Sequence, residues 1–185
     1  MPPGVALQLD RRVQVADLAG YDEVVLATGV LPRDPRIPGQ DHPKVLSYLD
    51  VLSGRRVPGE RVVVVGAGGI GFDVAEFLTA GPTSPTLHPE EWRREWGVGD
   101  PALTPGGLAE PEPEPPAREV WLLQRKPEKP GRGLGKTTGW IHRAALAAKG
   151  VRMQGGVSYL SIGADGLRIA RDGVEELLPV EDVVL

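Results

Sequence analysis

The chain has 185 residues, 41% of them hydrophobic, which is enough for the core of one globular domain or slightly more. A formal net charge of −4 argues against a general nucleic-acid-binding protein, which needs a broad basic face. The absence of cysteine excludes disulfides, thiolate metal sites, iron–sulfur ligands and thiol nucleophiles from this chain. No apolar run approaches the roughly 18 residues of a membrane span and the start lacks a signal-peptide pattern, so we expect a cytoplasmic protein without a membrane partner.

The first part of the chain predicts three short strands, over residues 5–9, 12–15 and 22–27. The third leads into Ala27-Thr28-Gly29 and then into a loop stiffened by prolines. Residues 42–52 follow with apolar residues at helical or mixed spacing, and we expect them to bridge two domains.

The segment RVVVVGAGGIGFDVAEFLTA, residues 61–80, has the pattern of a dinucleotide-binding turn. Its apolar run predicts a strand buried on both faces of a parallel sheet. Gly66 permits the tight turn, Gly68 lets the main chain approach a pyrophosphate, and Gly71 lets helix and strand pack closely. From Ile70 an apolar stripe predicts a helix that ends near residues 81–82. A plain glycine-rich turn is the alternative.

Residues 81–118 are rich in Pro, Gly and Glu and are interpreted as an insertion. Within it, residues 109–117 predict a mobile extended loop, because acidic Pro-rich sequence buries too little apolar surface to offset the cost of ordering. Trp92 and Trp96 share a helical face and are expected to anchor a short helix onto the domain.

Residues 119–124 predict the second parallel strand, and the residues at its end bear on cofactor choice. An acidic residue there would hold the ribose hydroxyls of NAD, whereas basic residues accommodate a 2′-phosphate. The strand ends in Gln124-Arg125-Lys126, which favours NADPH over NADH. The alternative is that Arg125 and Lys126 are only solvated loop charges.

The next segment contains GLGKT but does not match a phosphate-binding P-loop, since Pro130 stands where the first glycine is needed. We interpret it as a glycine-rich loop near the cofactor in which Lys136 contacts phosphate. Thr137 or Thr138 is expected to cap a helix over residues 139–149. His142 in that helix has no carboxylate partner in sequence, so we expect a structural or surface role.

The end of the chain predicts three further short strands, over residues 157–162, 167–170 and 174–178, which form a β-meander. The closing VEDVVL then repeats the pattern of DEVVLA, residues 22–27. We therefore expect a truncated chain that starts in one nucleotide domain, contains a second, and ends on returning to the first.

Six segments in order resemble the NADPH-binding region of bacterial NADPH-dependent 2,4-dienoyl-CoA reductases, within the wider family that includes trimethylamine dehydrogenase. They are HPKVLSYLDVL, GAGGIGFD, EWG, LLQRK, KPGRGLGKTTGWIHR and GVSY. The resemblance implies a longer protein in which an FAD domain and an FMN-bearing TIM barrel with a 4Fe-4S cluster accompany this chain. It implies that NADPH reduces FAD here, and that the electrons pass through the cluster to FMN and then to a dienoyl thioester.

The resemblance also implies roles for particular residues. Thr28 and Gly29 would border FAD, and no residue of this chain is assigned a catalytic or metal-binding role. The cofactor-binding residues expected on the NADPH side are Gly66, Gly68, Gly69, Ile70, Gly71, Gln124, Arg125, Lys126 and Lys136.

The fold class expected is a Rossmann-like α/β parallel sheet with a β-meander, of the FAD/NAD(P)-binding type. Residues 1–31 would be a remnant of the FAD domain, 32–55 a connector, 56–178 the NADPH-binding domain, and 179–185 the return strand. Exposed strand edges in residues 1–31 are expected to dock on the nucleotide domain or to form a homo-oligomer. The alternatives are a structural module that holds ADP, another ene-reductase or NADH oxidase of the family, and a fragment without affinity.

Overall fold

The computed structural model describes residues 4–185. Its contacts divide the chain into two units, Met1–Arg33 and Asp34–Leu185. Each unit is described by itself.

The first unit contains one turn of 3-10 helix, Val15–Leu18, and no strand among residues 4–33. The prediction of strands over residues 5–9, 12–15 and 22–27 is therefore wrong. A strand needs a neighbour for its main-chain hydrogen bonds, and these short segments find none in their unit. Their apolar side chains stay in solvent, with Val25 88% exposed. The strand edges expected to dock or to pair with a second molecule are thus absent from the described part of this unit.

The second unit is built on a five-stranded parallel sheet. Numbered along the chain, its strands are β1 (Val45–Leu46), β2 (Arg61–Val65), β3 (Glu119–Leu123), β4 (Arg152–Gln154) and β8 (Asp182–Val184). Their spatial order is β1-β8-β2-β3-β4. The helices are α1 (Tyr48–Leu52), α2 (Gly69–Thr79), α3 (Pro89–Trp96) and α4 (Gly139–Ala148). Short 3-10 turns occur at Pro85–Leu87 and Pro105–Gly107.

The meander forms a separate three-stranded antiparallel sheet of β5 (Ser158–Gly163), β6 (Gly166–Arg171) and β7 (Val174–Leu178). Its strands lie within one or two residues of the predicted ranges. The local pattern sufficed here because successive short strands joined by tight glycine turns pair with their nearest neighbours in sequence.

The parallel sheet is covered on both faces, because the apolar strand residues alternate between two cores. Val62, Val64 and Leu122 join a core with residues of α2 and α4. Val63 and Trp121 point the other way and pack with residues of the meander. The result is three layers of helices, parallel sheet and meander, as the Rossmann-like prediction requires.

The last strand, β8, lies inside this sheet between β1 and β2, where Val183 pairs with both Val45 and Val63. The segment expected to return to an FAD domain, and the strand β1 within the expected connector, are therefore both parts of the five-stranded sheet. The domain limits themselves stay a prediction.

The insertion is anchored through α3 by an ion pair that the sequence did not indicate. The expected anchoring by tryptophan is wrong for Trp92, which is 43% exposed, and no residue of α3 is fully buried. The ammonium of Lys149 lies 2.8 Å from the Glu95 carboxylate, and both side chains are more than four-fifths buried. Trp92 and Trp96 pair with each other, with ring centroids 6.5 Å apart. Residues 109–117 form neither helix nor strand. No helix within residues 4–185 has the length and apolar character to cross a bilayer.

Candidate functional site: the carboxyl edge of the parallel sheet

Two of the predicted segments meet at the carboxyl edge of the sheet. The glycine turn follows β2 and the basic segment follows β3, and these strands are neighbours with Val65 opposite Leu123. The Gly66 amide donates to the Leu123 carbonyl at 2.7 Å, which extends the strand pairing into the turn. This pairing brings Gly66 and Gln124, which are 58 positions apart in the sequence, to the same edge of the sheet.

The glycines of the turn differ in what they require. Gly66 has a φ of +114°, a conformation that other residues rarely adopt. At Gly71 a Cβ atom would overlap the Gly66 carbonyl oxygen, so only glycine permits this approach of helix to strand. At Gly68 and Gly69 a Cβ would meet nothing within 4 Å among the described residues. The protein itself would tolerate a side chain at these two positions.

The open space above Gly68 and Gly69 adjoins the start of α2. Gly68 is the N-cap residue, and the amides of Gly69, Ile70 and Gly71 belong to the first turn, whose N–H groups lack partners within the helix. That first turn contains no acidic residue. Open space over small residues, main-chain donors and the positive end of a helix dipole together fit a pyrophosphate.

The charged side chains of the basic segment are exposed to solvent. Arg125 and Lys126 are exposed, and neither side chain forms a hydrogen bond or ion pair with any of residues 4–185. Gln124 differs from them, because its amide nitrogen donates to the carbonyls of Lys126 at 3.1 Å and Glu128 at 2.6 Å. The structure thus leaves the two cations available to a ligand and uses the side chain of Gln124 to shape the loop.

The glycine-rich loop before α4 is tied to the glycine turn. The Gly131 amide donates to the Ala67 carbonyl at 3.3 Å, and Arg143 donates to the Gly131 carbonyl at 3.0 Å. Lys136 in this loop is exposed, and its contact with phosphate stays a prediction.

The expected side-chain cap of α4 is wrong for Thr138. This residue is the N-cap, but with φ −117° and ψ −19° it is not in the extended conformation of capping residues, and its side chain makes no cap bond.

Two features of this region were not predicted from the sequence. The imidazole Nδ1 of His142 lies 2.7 Å from a carboxylate oxygen of Glu76, which links α4 to α2. The partners are 66 positions apart, so no local pattern could pair them.

The second feature is a pair of buried polar atoms, the Tyr159 hydroxyl and the Gln154 side-chain oxygen, which have no partner among residues 4–185. Burial raises the pKa of Tyr159 from 10.0 to about 12, and the positive charge of Arg125 opposes that shift.

The residues expected to border FAD lie in the other unit. Thr28 and Gly29 are exposed and follow no strand, and Gly29 has a φ of +74°. Their expected place beside FAD stays a prediction. The chain also has no cysteine with which to hold an iron–sulfur cluster.

Comparison with known proteins gives three findings about sequence. Residues 5–185 match the family model described as pyridine nucleotide-disulphide oxidoreductase. A metal reductase of Desulforamulus reducens is 29% identical over 175 residues, which are 89% of this chain and 24% of that protein. A cinnamate reductase of Clostridium sporogenes is 48% identical over 59 residues, 32% of this chain and 9% of that protein. The chain thus spans about a quarter or less of these relatives.

Among solved structures, a 2-naphthoyl-CoA reductase in complex with 2-naphthoyl-CoA is similar, with a TM-score of 0.65 and 21% identity over 98% of this chain and 22% of that one. At this level of identity the likeness concerns the fold.

Proposed function

The chain belongs to the pyridine nucleotide-disulphide oxidoreductase family, and we propose that it binds NADPH and presents the nicotinamide to FAD within a longer flavoprotein. The observation that carries the proposal is that an open glycine turn meets two cations, which form no ion pair within residues 4–185, at the ends of β2 and β3. A dinucleotide with a 2′-phosphate has the matching chemistry, since its pyrophosphate and its extra phosphate would each find donors of the required kind.

In this proposal each part of the edge has a separate task. The main chain at Gly66, Gly68 and Gly69 with the first amides of α2, including that of Ile70, holds the pyrophosphate. Gly71 keeps α2 against the strand so that these amides stay aimed at it. Arg125 and Lys126 bind the 2′-phosphate, and Lys136 adds a further positive charge.

The chain contributes binding and orientation. NADPH when bound supplies a hydride that a flavin can accept. No side chain of the edge is required to transfer a proton in that step, and the glycine turn and basic loop act by fixing the two ends of the cofactor's adenosine portion.

For the substrate of the longer protein we propose a 2,4-dienoyl-CoA thioester, reduced with the help of FMN and a 4Fe-4S cluster held outside this chain. The ordered motifs from residues 42–52 to GVSY support this choice. The relatives named as metal reductase and cinnamate reductase support a reductase, and leave other reductases of the family as the rival.

Calorimetric titration of the 185-residue chain with NADPH, NADH and ADP tests the proposal. We expect NADPH to bind at least about tenfold more tightly than NADH, because charge-assisted bonds to a phosphate contribute more than about 1.4 kcal/mol. The double change Arg125→Ala with Lys126→Ala should remove that preference.

The control is Arg55→Ala with Arg56→Ala, a basic pair that precedes β2 and so lies away from the carboxyl edge. Unlike the pair under test, Arg55 donates to the Asp50 carboxylate and Arg56 to the Pro43 carbonyl, so the stability of this variant is measured alongside. This control should keep the preference. Equal affinity for ADP and NADPH would contradict NADPH delivery and favour a structural nucleotide-binding module. Absence of binding to all three would contradict both.

A further inference from the structure

The main chain of the basic loop is fastened from two sides. From within the loop, the Gln124 side-chain amide donates to the carbonyls of Lys126 and Glu128. From the segment between β4 and β5, the Gly156 amide donates to the Lys126 carbonyl at 2.8 Å and the Val157 amide donates to the Gln124 carbonyl at 3.1 Å. The residues that carry the free charges are therefore bonded through their backbone at both ends.

Gly155 makes this fastening sterically possible. A Cβ atom there would lie 2.6 Å from the Glu128 carbonyl oxygen and 2.9 Å from that of Lys126, both main-chain atoms that cannot turn aside as a side chain can. Gly155 does not have a positive φ, so only the close approach of the loop requires a glycine at this position.

We propose that Gln124 and Gly155 are positioning residues which set the preference for a 2′-phosphorylated nucleotide by holding the main chain of the Arg125-Lys126 loop. The proposal rests on the proposed function and deepens it. Arg and Lys side chains lose up to about 2 kcal/mol of rotamer entropy when ordered, and a fixed main chain spares the ligand the further cost of ordering the loop. Two residues that touch no phosphate thereby determine how well two others bind it.

The test uses two probes that differ only in the 2′-phosphate, adenosine 2′,5′-bisphosphate and adenosine 5′-monophosphate. Gln124→Met keeps the length and neutrality of the side chain and removes both donors. Gly155→Ala places a methyl group against the two carbonyls. The matched controls are Gln8→Met and Gly20→Ala, since Gln8 is exposed in the other unit and a Cβ at Gly20 meets nothing within 4 Å among residues 4–185.

Two readouts are combined on the 185-residue chain. Calorimetry should show that either variant lowers the preference for the 2′-phosphate by about tenfold while affinity for the monophosphate is unchanged. Amide hydrogen exchange should show Gly156 and Val157 exchanging about tenfold faster in Gln124→Met, with the amides of β2 and β3 unaffected. The controls should change neither quantity.

The outcomes separate the two proposals. A wild-type chain without preference for the bisphosphate overturns the proposed function and this inference with it. If both variants keep the wild-type preference for the 2′-phosphate, the inference alone is overturned, whether or not amide hydrogen exchange becomes faster. Unprotected Gly156 and Val157 amides in the wild type also overturn the inference, since the fastening would then not exist.

Discussion

Two segments have nearly the same sequence but different structures, DEVVL at residues 22–26 and EDVVL at residues 181–185. In the first, Val25 and Leu26 are 88% and 80% exposed, and no strand forms. In the second, Val183 and Val184 are fully buried in β8, between two parallel neighbours. An apolar β-branched run therefore supplies only the propensity to form a strand, and hydrogen-bonding partners on either side decide whether one exists.

The largest effect is expected when the same charge is placed in both segments. Val183→Asp should destabilise the protein by more than about 4 kcal/mol, because an unpaired carboxylate would be buried between the sheet and the meander. Val25→Asp should change the free energy of unfolding by less than about 0.5 kcal/mol, since the residue is already in solvent. Urea titration followed by circular dichroism measures both. Similar losses in the two variants would show that residues 22–26 are buried.

The glycine turn also contains two identical residues with different surroundings, Gly71 and Gly68. Gly71→Ala should cost about 3 kcal/mol, because its methyl group would overlap the Gly66 carbonyl oxygen. Gly68→Ala should cost at most about 1 kcal/mol, because its methyl group faces open space and only the preference of an N-cap for glycine over alanine is lost. Thermal or urea unfolding of the two variants without nucleotide gives the comparison. Equal stability of both would mean that α2 can move away from the strand at no cost.

Calorimetry on Gly68→Ala sharpens the result, since its methyl group would occupy the space proposed for the pyrophosphate. We expect the affinity for ADP to fall by roughly tenfold. Undiminished ADP binding in this variant would place the pyrophosphate elsewhere.

The smallest effect is expected at Tyr159, a partly buried residue whose buried hydroxyl has no partner among residues 4–185. Tyr159→Phe should leave stability at neutral pH unchanged or raise it by about 1 kcal/mol, because the change removes an unsatisfied polar group.

The pH dependence has a definite sign at this residue. Because burial raises the pKa of Tyr159 from 10.0 to about 12, the folded state keeps a proton that the unfolded state loses in this interval. The ionisation of Tyr159 leaves the free energy of unfolding unchanged below pH 10 and lowers it as the pH rises towards 12. Wild-type stability should therefore fall more steeply than that of Tyr159→Phe above pH 10. Parallel curves for the two proteins would contradict a raised pKa.

Much of the candidate site was predictable because its signals are local. The apolar run before Gly66, the spacing of Gly66, Gly68 and Gly71, and the helix after them fall within one continuous segment. The strand over 119–123 could likewise be predicted, and with it the position of Arg125 and Lys126 at a strand end. What the local pattern could not supply was the role of Gln124, whose amide bonds depend on how the loop folds back.

Consecutive residues are enough to predict the elements whose periodicity, glycines and turns are local, which are the strand–turn–helix unit, α4 and the meander. It is the folded chain that determines which apolar runs become strands, where β8 enters the sheet, and which distant side chains meet, as His142 meets Glu76. The physical reason is that backbone dihedral preferences and hydrophobic periodicity act over a few neighbouring residues, whereas strand pairing and side-chain contacts need partners that the chain brings together only on folding.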